Sequence, residues 1–180
     1  MIPWNNLPIS LEDIEHIEII RGPDTAVYAS NALQAVINIQ TASPYEYKGA
    51  SMKLTRGMND IQDGFLRYAG RLGNMDYMVS ASRKSDGGYE DVYDSHHNDV
   101  LSFLGEVPLA EGDIQLQAGF AKGINQFDPP VPRLQGPPHE FPETNNYQTL
   151  RWNHLFNPNN ELTATLSHNH FTYADKSYIN

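Results

Sequence analysis

From Lys48 onward, apolar and polar residues alternate with a period of two through seven successive segments. One set of alternate positions reads Ala50, Met52 and Leu54, then Leu66, Tyr68, Gly70 and Leu72, then Tyr77, Val79 and Ala81, then Leu101, Phe103, Gly105 and Val107. It continues through Ile114, Leu116, Ala118 and Phe120, through Leu150, Trp152 and Phe156, and through Leu162, Ala164 and Leu166. The opposite positions carry Lys53, Arg67, Arg71, Ser80, Ser82, Lys84, Gln115, Gln117 and Arg151. Successive side chains of a strand point to opposite faces, so this pattern predicts seven strands with one apolar and one polar face. A transmembrane barrel with lipid outside and a wet lumen satisfies it, and so does a soluble sandwich.

The connections separate the two. A polar loop expected over 85–98 and an excursion over 123–146 alternate with tight turns at Gly73-Asn74, Ala110-Glu111-Gly112 and Asn157 to Asn160. Structureless loops above ~12–15 residues are uncommon in compact soluble domains. Long loops on one rim and short turns on the other are the habit of outer-membrane barrels, so that architecture is expected.

No apolar run approaches the ~20 residues of a spanning helix. The absence of cysteine removes thiol catalysis, zinc ribbons and disulfide scaffolds, and a net charge of −10 opposes binding to a phosphate backbone, so no nucleic-acid partner is expected. Met1 to Asn6 lacks the basic flank and apolar stretch of a secretory signal, so an export signal is expected on sequence preceding this stretch.

Up to about Ser43 the pattern is mixed. Ile14 to Ile20 reads as a strand that alternates first and becomes buried at its Ile-rich end, stopped by Arg21-Gly22-Pro23. Asp24 and Thr25 are capping residues before a two-turn helix over 26–33, and Val36 to Ile39 returns as a strand.

This stretch, from Ile14-Glu15-His16-Ile17-Glu18-Ile19-Ile20-Arg21-Gly22-Pro23 through Tyr28 and Asn31-Ala32 to Val36-Ile37-Asn38-Ile39-Gln40-Thr41, resembles the plug-domain signature of TonB-dependent receptors. The family pattern is I-E-x-I-E-V, R-G-P, a small-residue helix with Y-G-S/A-x-A, then G-V-I-N-I-x-T. Glu15, Glu18, Arg21, Gly22, Pro23, Tyr28 and Asn38 carry the match. Two family glycines are replaced, by Ala29 and Ala35, which would strain any position needing φ > 0.

The resemblance implies a mainly β chain: residues 1–43 as the C-terminal part of an α+β plug, and 44–180 as the first seven or so antiparallel strands of an incomplete transmembrane barrel. Single-chain barrels begin at eight strands and plugged transporters reach 22, so the chain is expected to be a piece of a longer receptor. It further implies an outer-membrane location in a Gram-negative cell and active import of a scarce ligand such as a ferric siderophore, haem or cobalamin. TonB and its energising inner-membrane complex would pull on a more N-terminal segment. Import of an oligosaccharide or peptide is the alternative within the family, and a secreted all-β adhesin or lectin-like module the alternative outside it.

Glu15, Glu18 and Arg21 are expected to face inward charges of the barrel such as Lys53, Arg67, Arg71 or Arg151. Tyr89, Tyr93, His96, Phe127 and Phe141, with Tyr147, fall in or near the long loops and are the candidates for ligand contact, against an aromatic girdle at the membrane interface as the plainer reading. Trp152, Phe171 and Tyr173 are assigned to lipid or girdle. Neither His96-His97 nor the His168/His170 pair has further ligands at a metal-binding spacing, so no metal or other cofactor is expected. No nucleophile, base and carboxylate come together in a recognisable pattern, and the chain is read as a non-enzyme.

Overall fold

The computed structural model describes residues 6–21, 35–127 and 138–174, and the chain is mainly antiparallel β. Among the described residues a three-residue 3-10 turn, Leu11–Asp13, leads into β1 (Ile14–Arg21), which pairs antiparallel with β2 (Ala35–Thr41). A separate seven-stranded meander follows: β3 (Gly49–Arg56), β4 (Gln62–Leu72), β5 (Met75–Asp86), β6 (His96–Leu109), β7 (Gly112–Phe127), β8 (His139–Asn157) and β9 (Asn160–Tyr173). Each strand pairs with the next, and the order leaves β3 and β9 as edges. No helix of the described residues is long and apolar enough to cross a membrane. The helix expected over 26–33 lies outside the described residues.

Local chemistry sets the turns. Leu72 pairs with Met75 across Gly73-Asn74, and Gly73 has φ +61, the glycine-first arrangement that matches strand twist in a two-residue hairpin. Asn157 and Asn160 pair across Pro158-Asn159, and the Asn157 Oδ1 accepts from the Asn159 amide at 3.1 Å and from Asn160 Nδ2 at 3.0 Å. These turns and Ala110-Glu111 form one rim of the meander. The other rim carries the loops 57–61 and 87–95, joined by a hydrogen bond from the Gly87 amide to the Asn59 carbonyl at 2.8 Å, and the facing ends of β7 and β8 at Phe127 and His139.

The two long loops are shorter than the sequence predicts. β5 runs on to Asp86 and β6 begins at His96, while β7 reaches Phe127 and β8 starts at His139. These extensions are polar and do not alternate, so they read as loop. Their stability comes from the ladder, with His97 opposite both Ser85 and Ile124, and Asn125 opposite Phe141.

The register aligns the alternating positions of all seven strands on one face. Leu66, Ala81, Leu101, Phe120, Asn146 and His170 form one rung, and Gly70, Tyr77, Gly105, Leu116, Leu150 and Leu166 another nearer the short turns. This face is open: Leu66, Val79, Leu101, Phe120 and Leu166 are all exposed. The opposite face is covered over its centre, where Phe65, Ala69, Met78, Ser80, Ser82, Val100, Leu104 and Ala121 are buried.

The open face carries a further order. Counted from the short turns, the first polar side chains after the apolar stretch are Arg83, Asp99, Lys122, Gln148 and His168, each eight to ten positions along its strand. The rung through Leu66 therefore starts apolar on β4 and ends polar on β8 and β9. The apolar band follows the rim of short turns and runs at a slant to the hydrogen-bonded rungs. His154 interrupts the band near that rim, lying 5.6 Å from the Trp152 ring and 4.5 Å from that of Phe156.

Two expectations need correction, and a third, conditional one does not apply at Ala35. Ile19, expected in the buried end of its strand, is exposed, as are Ile17 and Ile37, because no further layer among the described residues covers the β1–β2 pair. Phe171 and Tyr173, assigned to lipid or girdle, lie on the other face: they pair with Asn145 and Glu143 in the phase of the covered side. Ala35 carries no strain, since it opens β2 opposite Arg21 without positive φ, whereas Ala29 lies outside the described residues.

Candidate functional site

The covered face is occupied by residues 6–13, held by a polar seam. Asp13 is buried; Arg67 Nη1 on β4 lies 3.4 Å from its Oδ1, while the Ser80 hydroxyl on β5 and the Ser102 hydroxyl on β6, at 3.2 Å, donate to its Oδ2. One carboxylate thereby ties three consecutive strands to the N-terminal segment. Arg67 also donates to the Glu12 carbonyl at 3.1 Å, and its guanidinium lies 4.3 Å from the centre of the Tyr47 ring.

The 3-10 turn makes this possible. Closing Asp13 N–H onto the Ser10 carbonyl at 3.0 Å turns Ser10, Glu12 and Asp13 toward the sheet. The Ser10 hydroxyl donates to that of Ser82 at 2.7 Å, and Glu12 lies 3.2 Å from Lys53 and 3.9 Å from Lys84. Burial opposes ionisation of Glu12, but its own backbone amide, the Lys53 hydrogen bond and the charges of Lys84 and Lys53 outweigh it, holding the carboxyl below its ordinary value. Farther along, Asn145 Nδ2 donates to the Asn6 carbonyl at 3.1 Å, and at the start of the following connection the Ser43 hydroxyl donates to Glu106 at 2.9 Å.

The seam needs Gly119. A Cβ there would collide with the Pro8 carbonyl oxygen and the Tyr147 ring. This is a position where two backbones approach too closely for any side chain.

The inward charges thus find partners other than those expected. Lys53 and Arg67 meet Glu12 and Asp13, while Arg71 makes a bidentate pair with Asp76 at 2.8 and 2.6 Å. Glu15, Glu18 and Arg21 are exposed on β1. Glu18 and Asn38 belong to each other: they are register partners, and Asn38 Nδ2 donates to the Glu18 carboxylate at 3.0 Å. That bond, above all, holds the Glu18 carboxyl below its ordinary value, with His16 contributing. Gly22, Pro23 and Tyr28 lie outside the described residues.

The loop-borne candidates are not gathered into one site. Tyr89 and Tyr93 lie in loop 87–95, where the Tyr89 amide donates to Asp94 at 2.9 Å. His96, expected in that loop, opens β6 and lines a 220 Å³ cavity against Leu7, Ile9, Ser10 and Leu11. Phe127 closes β7 opposite His139, and Phe141 lies 5.2 Å from Tyr173, ring to ring. Tyr147 and Phe171 face a 530 Å³ cavity between the N-terminal segment, β2 and the inner side of β7 to β9. Among the described residues no group of three or more His, Asp or Glu could hold a metal ion.

Residues 6–13 were missed as the docking segment because Leu7 to Asp13 carries no periodicity. The one legible signal was the pair Glu12-Asp13 beside a chain whose inward positions include Lys53, Arg67 and Lys84.

No family model and no solved structure matches the chain. The chain is similar to the vitamin B12 transporter BtuB of Vibrio vulnificus (strain CMCP6), 38% identical over 56 residues that make up 31% of this chain and 9% of that relative.

Proposed function

We propose that this chain is part of a TonB-dependent outer-membrane receptor that imports a scarce small molecule, with residues 1–43 ending the plug and 44–180 forming the first strands of the barrel wall. The slanted apolar band carries the reading. Barrel strands tilt by roughly 35–45°, so their rungs climb relative to a membrane slab, and an apolar band cut by that slab must cross the rungs obliquely. From Gly112 to Phe120 the band on β7 takes nine residues, against the ~9–11 that a tilted strand needs to cross a hydrocarbon core. The face behind it mixes buried apolar side chains with charged and hydroxyl ones, and it seals onto a separate segment by charge pairs and hydroxyls, as suits a plug seated in a wet lumen.

On this reading TonB and its energising complex act through a segment N-terminal to the described residues, lipid covers the open face, and the chain is not an enzyme. The relative's name favours a cobalamin-type ligand over a ferric siderophore or haem. Tyr89 and Tyr93, exposed or half-exposed at the long-loop rim, are the proposed ligand contacts. The test is uptake of labelled cobalamin, a ferric siderophore and haem by Gram-negative cells carrying the full-length protein, with and without TonB. TonB-dependent uptake of one of them supports the proposal. Recovery of the protein in the soluble secreted fraction would favour an adhesin instead.

A further inference from the structure

The N-terminal segment and β2 meet the two halves of the sheet differently. Over β4 to β6 the seam is closed, with Ala69, Met78 and Leu104 buried and Asp13 bonded to Arg67, Ser80 and Ser102. Over β7 to β9 two cavities separate them, one of 530 Å³ toward the long-loop rim and one of 440 Å³ toward the short turns. The cavities share Ile39 and Thr41 of β2 and Gln117 of β7, so they abut at one level of the wall. Between them they follow the inner side of β8 from Asn145 to Arg151.

The lining of this gap is unlike the seam. The wall offers Gln115, Gln117, Thr149 and Asn169, and β2 faces it with Gln40 and Thr41. Side-chain amides and hydroxyls both give and accept hydrogen bonds. Among the described residues none that is charged lines the larger cavity. In the smaller one Glu106 and Arg151 flank Gln115 on one rung and balance each other. Lys53, Arg67 and Arg71, the inward cations of β3 and β4, are instead matched by Glu12, Asp13 and Asp76 on the sealed side. An ion entering the gap gives up water without meeting an unmatched counter-charge, whereas an uncharged molecule exchanges water for amides and hydroxyls.

We propose that the imported molecule passes along the inner wall of β7 to β9, in the gap left by β2, and that this gap selects an uncharged, multiply hydrogen-bonding molecule over an anionic iron chelate. The inference rests on the receptor reading and adds to it a route and a charge class. Gln117, the wall residue common to both cavities, is the point at which added bulk closes the route.

The test uses the full-length protein in the outer membrane of Gram-negative cells, with single cysteines in place of Gln117, Thr165, Asn169 or Ala69 and methanethiosulfonate probes added from outside. The cysteines at 117, 165 and 169 should react with an uncharged probe and about tenfold more slowly with an anionic one, each rate normalised to that of a free thiol, because lining groups and charge barriers set what a path admits. The cysteine at 69, under the sealed side, should react with neither. Gln117→Trp should lower TonB-dependent uptake of labelled cobalamin by about tenfold with surface binding unchanged, as narrowing a path does, and Gln148→Trp, which adds bulk to the outward face of β8, should leave uptake intact. No reaction at 117, 165 and 169, equal rates with both probes, labelling at 69 as fast as at 117, or full uptake in Gln117→Trp overturns the route. TonB-dependent uptake of an anionic ferric siderophore in place of cobalamin overturns the charge class and leaves the receptor standing. Absence of any TonB-dependent uptake overturns the receptor reading itself.

Discussion

Asp13 and Arg67 meet at 3.4 Å on opposite sides of the seam between the N-terminal segment and the sheet, and both are buried. Neither charge has bulk water to fall back on, so each depends on the other and on the hydroxyls of Ser80 and Ser102.

Replacing Asp13 with Ala leaves the Arg67 guanidinium buried without its counter-charge. The expected loss is about 3–5 kcal/mol in docking of residues 6–13, the range for breaking one side of a buried pair. Hydrogen exchange of the Ser10 to Asp13 amides in detergent micelles should rise to the unprotected rate while the ladder of β4 to β6 keeps its protection. Unchanged protection at Asp13 would show that the seam is not held there.

A pair of glycines gives a cleaner steric test. Gly119→Ala forces a Cβ into the Pro8 carbonyl and the Tyr147 ring, whereas Gly64→Ala finds its nearest neighbour, Leu54 Cδ2, at 3.7 Å. Gly119→Ala is expected to destabilise the seam by about 1–3 kcal/mol, as overpacking does, and Gly64→Ala to leave it unchanged. Protease cleavage within residues 6–13 reads the difference directly.

The acid response follows from Glu12. Its carboxyl titrates below the ordinary value in the folded chain, so the stability it contributes is present above the unfolded carboxyl pKa and is lost as pH falls through the lower folded value. Protection of residues 10–13 should hold from neutral pH down to the usual carboxyl range and then decline. Glu12→Gln should flatten that decline and weaken the seam at neutral pH. A loss of protection on raising the pH from 5 to 7 would contradict the assignment.

Much of this fold was legible in alternation alone. The seven strands after Lys48 and their apolar face follow from period two, and the observed register places those residues on shared rungs. What alternation could not supply was held by other forces. The polar ends of β7 and β8 are carried by ladder bonds rather than by an apolar face. Asp13 and Glu12 are placed by a single 3-10 turn. Phe171 looks like a girdle residue by type, yet its phase against Asn145 turns it inward. In the β1–β2 pair, the Glu18 and Asn38 of the family-like motif partner each other across the register, which no reading of either strand by itself reveals.

Leu116 offers a test of what the open face touches. It is exposed in the middle of the apolar band. Leu116→Arg should cost about 2–4 kcal/mol in a bilayer, as lipid-facing arginines do near the midplane of barrels. At an exposed position of a water-soluble sheet the same change falls within about 0.5 kcal/mol. Unfolding by denaturant from phospholipid vesicles distinguishes the two.

The most direct measurement is a cysteine scan of β6, which is free of interference because the chain has no cysteine of its own. Single cysteines from 101 to 107, labelled with a fluorophore after vesicle reconstitution, are challenged with a quencher carried on lipid tails. The account predicts strong quenching at 101, 103, 105 and 107 and weak quenching at 102, 104 and 106. Uniform quenching by a water-soluble agent at all seven positions, in a chain that stays monomeric without detergent, would contradict it.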